Sequence, residues 1–224
     1  MRNADSLLRT ATGAAMLVAS LLAWPVTSAA QLLGIGDPTG ILPLPIGGGG
    51  TTQTVTGQAS AVQATVFGFL GNTTLGLANT GALSGPTDAL DASQLTGNLL
   101  GALTAEVPSA TTIGYADQVD SAASLANLAL SIAGNNIGAD FLMSQASAIL
   151  NIGGVGSSTL SNLSLNGVPV PVTGDPNQVV SIPGGQMVIN EQQTSPGGIV
   201  VNALHVIVSG VADVVMGSAV AAIQ

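Results

Sequence analysis

The chain has 224 residues, a formal net charge of −9 and no cysteine, and its only basic residues are Arg2 and Arg9. Without Lys or Arg beyond that point there is nothing to displace counterions from a phosphate backbone, so no nucleic-acid partner is expected, and phosphate-bearing substrates and anionic membrane surfaces are disfavoured. The missing thiols remove cysteine nucleophiles, zinc–thiolate sites and iron–sulfur clusters, and an exported chain without cysteine reads as bacterial.

Residues 1–30 have the layout of a secretory leader. Arg2 and Arg9 form a positive start, Ala11 to Val26 an apolar run, and Thr27-Ser28-Ala29-Ala30 a small-residue cleavage site. Cleavage is expected after Ala30, with Ala29 as the alternative. The mature chain would then keep ten carboxylates (Asp37, Asp88, Asp91, Glu106, Asp117, Asp120, Asp140, Asp175, Glu191 and Asp213) and no permanent cation. Residues 31–54, rich in Gly and Pro with four glycines at 47–50, read as a flexible lead-in to a β-domain over 55–224.

From Val55 onward, short apolar–polar alternation is broken by turn dipeptides. Between 88 and 150 the text is mixed. Asp88 offers a helix cap ahead of Leu90, Leu95 and Leu99, and 139–150 fits a helical face, but Gly97, Gly101 and the many Ser and Thr residues favour strand. Over 124–132, Ala126, Leu128, Leu130 and Ile132 fall on one face at a period of two, a strand signal. Gly153-Gly154-Val155-Gly156 reads as a turn. Asn166-Gly167 between Leu163-Ser164-Leu165 and Val168, Val170, Val172 is a hairpin signal, since both central residues of the favoured turn need positive φ. Pro169 and Pro171 make the returning arm an edge strand or a bulged one. Strands follow over 179–182, 186–193, 199–208 and 214–223, separated by Gly- and Pro-containing turns. Residues 203–223 are apolar, yet His205, Asp213 and Ser209-Gly210 interrupt them, so two strands around a turn fit better than a membrane span. No transmembrane segment is expected in the mature chain.

These signals add up to an all-β fold, an antiparallel β-sandwich-like meander with long strands and room for one short helix; the alternative is a β-solenoid. The runs STLSNLSLNGVPVPV, PNQVVSIPGGQMVINEQ, GGIVVNALHVIV and ADVVMGSA resemble the bacterial exported family called choice-of-anchor P. The resemblance rests on the Leu-x-Leu-Asn-Gly turn at Asn166-Gly167, the triplet Asn190-Glu191-Gln192, and Val201-Asn202-Ala203-Leu204-His205-Val206 closing on Asp213-Val214-Val215, and it covers about Val55 to Ile223. It implies a secreted protein of no assigned activity, in a family whose members carry differing C-terminal anchors. This chain departs from the pattern: no recognisable anchor follows the domain, and Val220-Ala221-Ala222 stands where relatives often carry His-Ala-Asp.

The candidate residues are few. His205 is the only imidazole, so a Ser–His–Asp hydrolase would have to use it. On an unbroken strand it shares a face with Val201, Ala203 and Ile207, the setting of a core-facing histidine bonded to Asn190, Glu191 or Asp213. A carboxylate pair is the other hydrolytic option. Asp88 with Asp91 and Asp117 with Asp120 are calcium candidates on oxygen-ligand chemistry, though neither run has the loop spacing of a calcium hand. No cofactor is expected. The expected function is that of a secreted or cell-envelope β-domain, acidic and non-enzymatic, with a structural or surface-interaction role towards an unknown surface or matrix partner; the alternatives are a secreted hydrolase using His205 or a carboxylate pair, and a calcium-stabilised module.

Overall fold

A computed structural model describes residues 53–69 and 71–224. The leader over 1–30 and most of the lead-in lie outside the described residues. Fourteen strands follow in chain order: β1 (Val55–Gly68), β2 (Gly71–Asn79), β3 (Ala89–Ser93), β4 (Thr96–Leu99), β5 (Leu103–Gly114), β6 (Gln118–Ile132), β7 (Asn135–Ile149), β8 (Gly153–Ser161), β9 (Ser164–Leu165), β10 (Val168–Pro169), β11 (Gln178–Ile182), β12 (Gly185–Ser195), β13 (Gly198–Val208) and β14 (Ala212–Ile223). No helix occurs among the described residues. The stretch that could have begun with a capped helix forms β3 and β4, and 139–150 belongs to β7.

The strands form two antiparallel sheets. The first runs β11-β12-β13-β14-β1-β2. The second runs β10-β9-β7-β6-β5-β3, with β8 also on β7 and β4 also on β5. Nearly every strand pairs with its neighbour in sequence, and the chain changes sheet only between β2 and β3 and between β10 and β11. The last strand closes on the first: Val55 pairs with Ile223, and Thr54 and Gln224 exchange backbone bonds of 2.8 and 3.0 Å. The sheets do not close into a barrel. They lie face to face, β14 over β6 and β7, β13 over β7 and β8, β1 over β5 and β6. This is the expected β-sandwich-like meander, not a solenoid.

One feature of the packing departs from simple alternation. In β14 the buried positions are Ala212, Val214 and Met216, then Ala219, Ala221 and Ile223. The inward parity switches from even to odd numbers. The same switch occurs in β13 between Ala203 and Leu204, in β1 between Ala61 and Val62, in β6 between Leu125 and Leu128, and in β7 between Ala139 and Leu142. A left-handed residue stands at this level in some of the strands, and β1, β7 and β13 switch beside it with none of their own. Gly217 (φ 64), Asn190 (φ 52) and Ala78 (φ 46) provide it in the first sheet; Val107 (φ 47), Asn127 (φ 47) and Asn162 (φ 53) in the second. A single residue in that region turns the pleat, so the next side chain leaves on the opposite phase. The switches are in register. Gly217 falls between the pairs Asn202–Ser218 and Leu204–Met216 on one side and between Ser60–Ser218 and Val62–Met216 on the other. Together they form a crease across both sheets.

The crease divides the core. On one side lie the larger side chains, among them Leu128, Leu130, Ile137, Met187, Ile189, Leu204 and Met216. On the other, alanines dominate: Ala146, Ala148, Ala219 and Ala221 in one cluster and Ala59, Ala110 and Ala123 in another. There the sheets approach closely enough that a Cβ on Gly154 would stand 2.6 Å from the carbonyl carbon of Gly198. Gly153-Gly154-Val155-Gly156 is therefore not a turn. It opens β8, and Gly154 and Gly156 are small because β13 presses on them. The crease also corrects the face assigned to 124–132. Leu125, not Ala126, points inward with Leu128 and Leu130, because Asn127 intervenes.

Candidate functional site

The crease brings four polar side chains together on the outer face of the first sheet. In a regular strand Asn202 and His205, three apart, would point to opposite faces. Here Ala203 and Leu204 both point inward, so Asn202 and His205 both point outward. Asn190 does the same for β12, turning Glu191 outward beside them. Asp213 on β14 lies diagonal to His205, whose direct neighbours in register are Val188 and Val215.

The cluster is a chain of short bonds. Asn202 donates through Nδ2 to Glu191 Oε2 at 2.6 Å. His205 Nδ1 meets the same Glu191 oxygen at 2.9 Å, and His205 Nε2 meets Asp213 Oδ1 at 2.8 Å. The imidazole is held from both sides and its side chain is only 14% exposed. Burial pushes its pKa down, but the bonds to Asp213 and Glu191 and the charges of both carboxylates outweigh burial and raise it to about 9. At neutral pH the ring is therefore an imidazolium donating from both nitrogens. The bond from His205 also lowers the pKa of Glu191, against an opposing contribution from burial and with help from Asn202.

This arrangement corrects the core-facing reading of His205. The ring lies on the outside of the first sheet, tying β12, β13 and β14 together, while Val201 and Ala203 face the core. Asn190 does not join it. Its Nδ2 donates to the Gly174 carbonyl at 3.0 Å and its Oδ1 accepts from Gln192 at 2.9 Å, fastening the β10–β11 connection to the crease.

Chemically the cluster is a clamp. A general base needs a free lone pair on the imidazole, and both nitrogens are occupied by carboxylates. The two carboxylates sit on opposite ends of the ring, so the three groups do not converge on one point. No group of three His, Asp or Glu side chains arranged to hold a metal occurs among the described residues.

Asn166 (φ 52) and Gly167 (φ 78) make the two-residue turn between β9 and β10, with Pro169 in the edge strand β10. They lie apart from the His205 cluster. Asn166 Oδ1 accepts from the Asn136 amide at 2.8 Å. The calcium candidates are occupied locally or dispersed. Asp88 Oδ2 accepts from the amide and hydroxyl of Ser84, each at 2.8 Å, bonds that lower its pKa. Asp91 is exposed on β3, and Asp120 accepts from Gln118 at 2.8 and 2.9 Å. The Asp88–Asp91 and Asp117–Asp120 pairs form no shared cage.

Compared with family models, curated proteins and solved structures, the chain shows no significant match.

Proposed function

We propose that this protein is a non-catalytic β-module of the cell exterior, secreted or held at the envelope after its leader is removed near Ala30, with a structural or surface-interaction role. The observation that carries this reading is the state of His205. The chain's one imidazole is spent on joining three strands, with both nitrogens bonded and its charge balanced by Glu191 and Asp213. That use suits a module whose job is to keep its shape in the open, where a cysteine-free chain has no disulfides to call on. With both nitrogens bonded, His205 offers no free lone pair to the histidine version of the hydrolase alternative.

The leader text and the resemblance to choice-of-anchor P proteins support the location. Fractionation of the producing cell, with N-terminal sequencing of the recovered chain, tests it. The chain is expected in the envelope or the medium and to begin at Gln31 or Ala30. Intact chain recovered from the cytoplasm would overturn the proposal.

A further inference from the structure

Exposed apolar side chains occur along the whole sandwich, Leu95, Val107, Tyr115 and Ile152 among them, but at one end they stand without carboxylates. At one end six turns come together: those after β1, β4, β6, β9, β11 and β13. Asn135 Nδ2 in the second sheet, bonded to the Pro183 carbonyl in the first at 3.0 Å, ties the two sets of turns to one end. Their sequences contain no charged residue: Phe67-Gly68-Phe69, Leu100-Gly101-Ala102, Ala133-Gly134, Asn166-Gly167, Pro183-Gly184 and Ser209-Gly210-Val211. Charge is absent from the whole stretch between Asp37 and Asp88, which includes β1 and β2.

The carboxylates of the described residues lie elsewhere. Glu106, Asp140 and Glu191 sit at the crease, and Asp88, Asp91, Asp117 and Asp120 lie beyond it towards the other end. Asp175 follows Gly174, which Asn190 holds at the crease. Asp213, nearest the uncharged end, is paired with His205.

What the uncharged turns present is apolar. Phe69 is fully exposed, Leu100 is 73% exposed and Val168, next to Asn166-Gly167, is 65% exposed; Phe67 and Val211 are partly so. The chain has only three phenylalanines, and two are at this end, outside a core made of Leu, Ile, Val, Met and Ala. Leaving an aromatic ring in water forgoes one of the larger burial gains available to a side chain.

We propose that this end dips into the surface of an electrically neutral lipid layer, with Phe67, Phe69, Leu100, Val168 and Val211 as the inserted tips. The inference rests on the surface-interaction reading above and names what the surface meets. Two features favour lipid over a second copy or a protein groove. The apolar residues stand on four turns with Gly, Asn and Ser between them, Phe67 beside Val211 through the bond from its amide to the Val211 carbonyl, and a fluid layer closes around tips on several turns without needing a shape-matched groove. The segregation of charge fits a layer without charge: the inserted end has no carboxylate to desolvate, and the acidic remainder disfavours an anionic surface.

The absence of cysteine allows the test to be local. Ser209→Cys carries an environment-sensitive fluorophore at the uncharged end, and Ser195→Cys carries it at the other. Local readout matters because the apolar run of an unprocessed leader would bind lipid on its own. With phosphatidylcholine vesicles, the Ser209→Cys label is expected to shift to the blue and the Ser195→Cys label to stay unchanged. Phe67→Asp with Phe69→Asp should weaken the vesicle response by at least about tenfold, the scale of two lost aromatic insertions, without lowering the melting temperature. The proposal is overturned if both labels respond alike or neither responds, if the double variant binds as the parent does, or if phosphatidylglycerol vesicles bind more tightly. It is equally overturned if the Ser209→Cys label shifts with protein concentration alone, which would assign this end to a second copy. None of these results depends on where the cell sends the protein, so failure here and failure of the export reading are separable.

Discussion

Gly217→Val is expected to be strongly damaging, lowering stability by about 3–5 kcal/mol. Gly217 has φ 64, and a Cβ there would lie 2.9 Å from Leu142 Cδ1 and 3.1 Å from the Ala203 methyl. A β-branched side chain meets both obstacles, the left-handed backbone and the opposing sheet. Restoring an ordinary strand conformation would not help, because it would reverse the parity of everything after it and turn Ala219, Ala221 and Ile223 outward. At roughly 2–4 °C per kcal/mol for a domain of this size, the melting temperature should fall by roughly 6–20 °C. Val107→Gly is the informative contrast. Val107 carries φ 47 at the same level of the second sheet but is exposed, so glycine there should stabilise by about 1 kcal/mol. Thermal unfolding of the two variants beside the parent decides it. If Gly217→Val melts with the parent, the crease is not a requirement of the fold.

His205→Ala is expected to cost about 3 kcal/mol near pH 6, the free-energy equivalent of raising an imidazole from 6.5 to about 9. The sign follows from the direction of each change. A histidine whose folded pKa is raised contributes fully below about 6.5 and loses that contribution as pH climbs through about 9. Glu191, with its folded pKa lowered from 4.5, contributes above that value and loses its contribution as the medium becomes more acidic. The parent should therefore be most stable between these limits. The gap between parent and His205→Ala should narrow from pH 6.5 to above 9, leaving only lost packing. At neutral pH the alanine variant leaves two carboxylates facing a vacated, partly buried site, so adding Glu191→Gln should recover part of the loss. Urea unfolding at several pH values checks all three. A gap that stays constant from pH 6 to pH 10 would mean that folding does not raise the His205 pKa.

How much of this was legible in the sequence depends on what each signal encodes. Turn chemistry is local, so Asn166-Gly167, Pro183-Gly184 and Ser209-Gly210 marked their turns, and the last four strands fall where alternation put them, within two residues at each end. Of the motif residues singled out, Asn190 and Asn166-Gly167 stand apart, while Glu191, Asn202, His205 and Asp213 meet. Their face was not legible. Alternation carried through Ala203 put His205 in the core, because nothing in an apolar run such as Val201 to Val208 reports that two successive residues face inward. Asn127 and Asn190 were the available clue. Asparagine adopts the left-handed conformation more readily than other non-glycine residues, and both sit mid-strand where strand propensity argues against them. Val107 and Ala78 give no such hint. The glycines of β8 misled for a related reason: Gly marks close approach as well as turns, and only the facing strand distinguishes the two.

The proposed role requires His205 to be a doubly bonded imidazolium and not a free base. As the only histidine in the chain, it yields one unambiguous set of imidazole signals in a heteronuclear NMR titration. A midpoint near 9, with both ring N–H protons shielded from exchange at neutral pH, is the predicted result. A midpoint near 6.5 with one ring nitrogen unprotonated at pH 7.5 would contradict it and return the residue to the list of candidate bases.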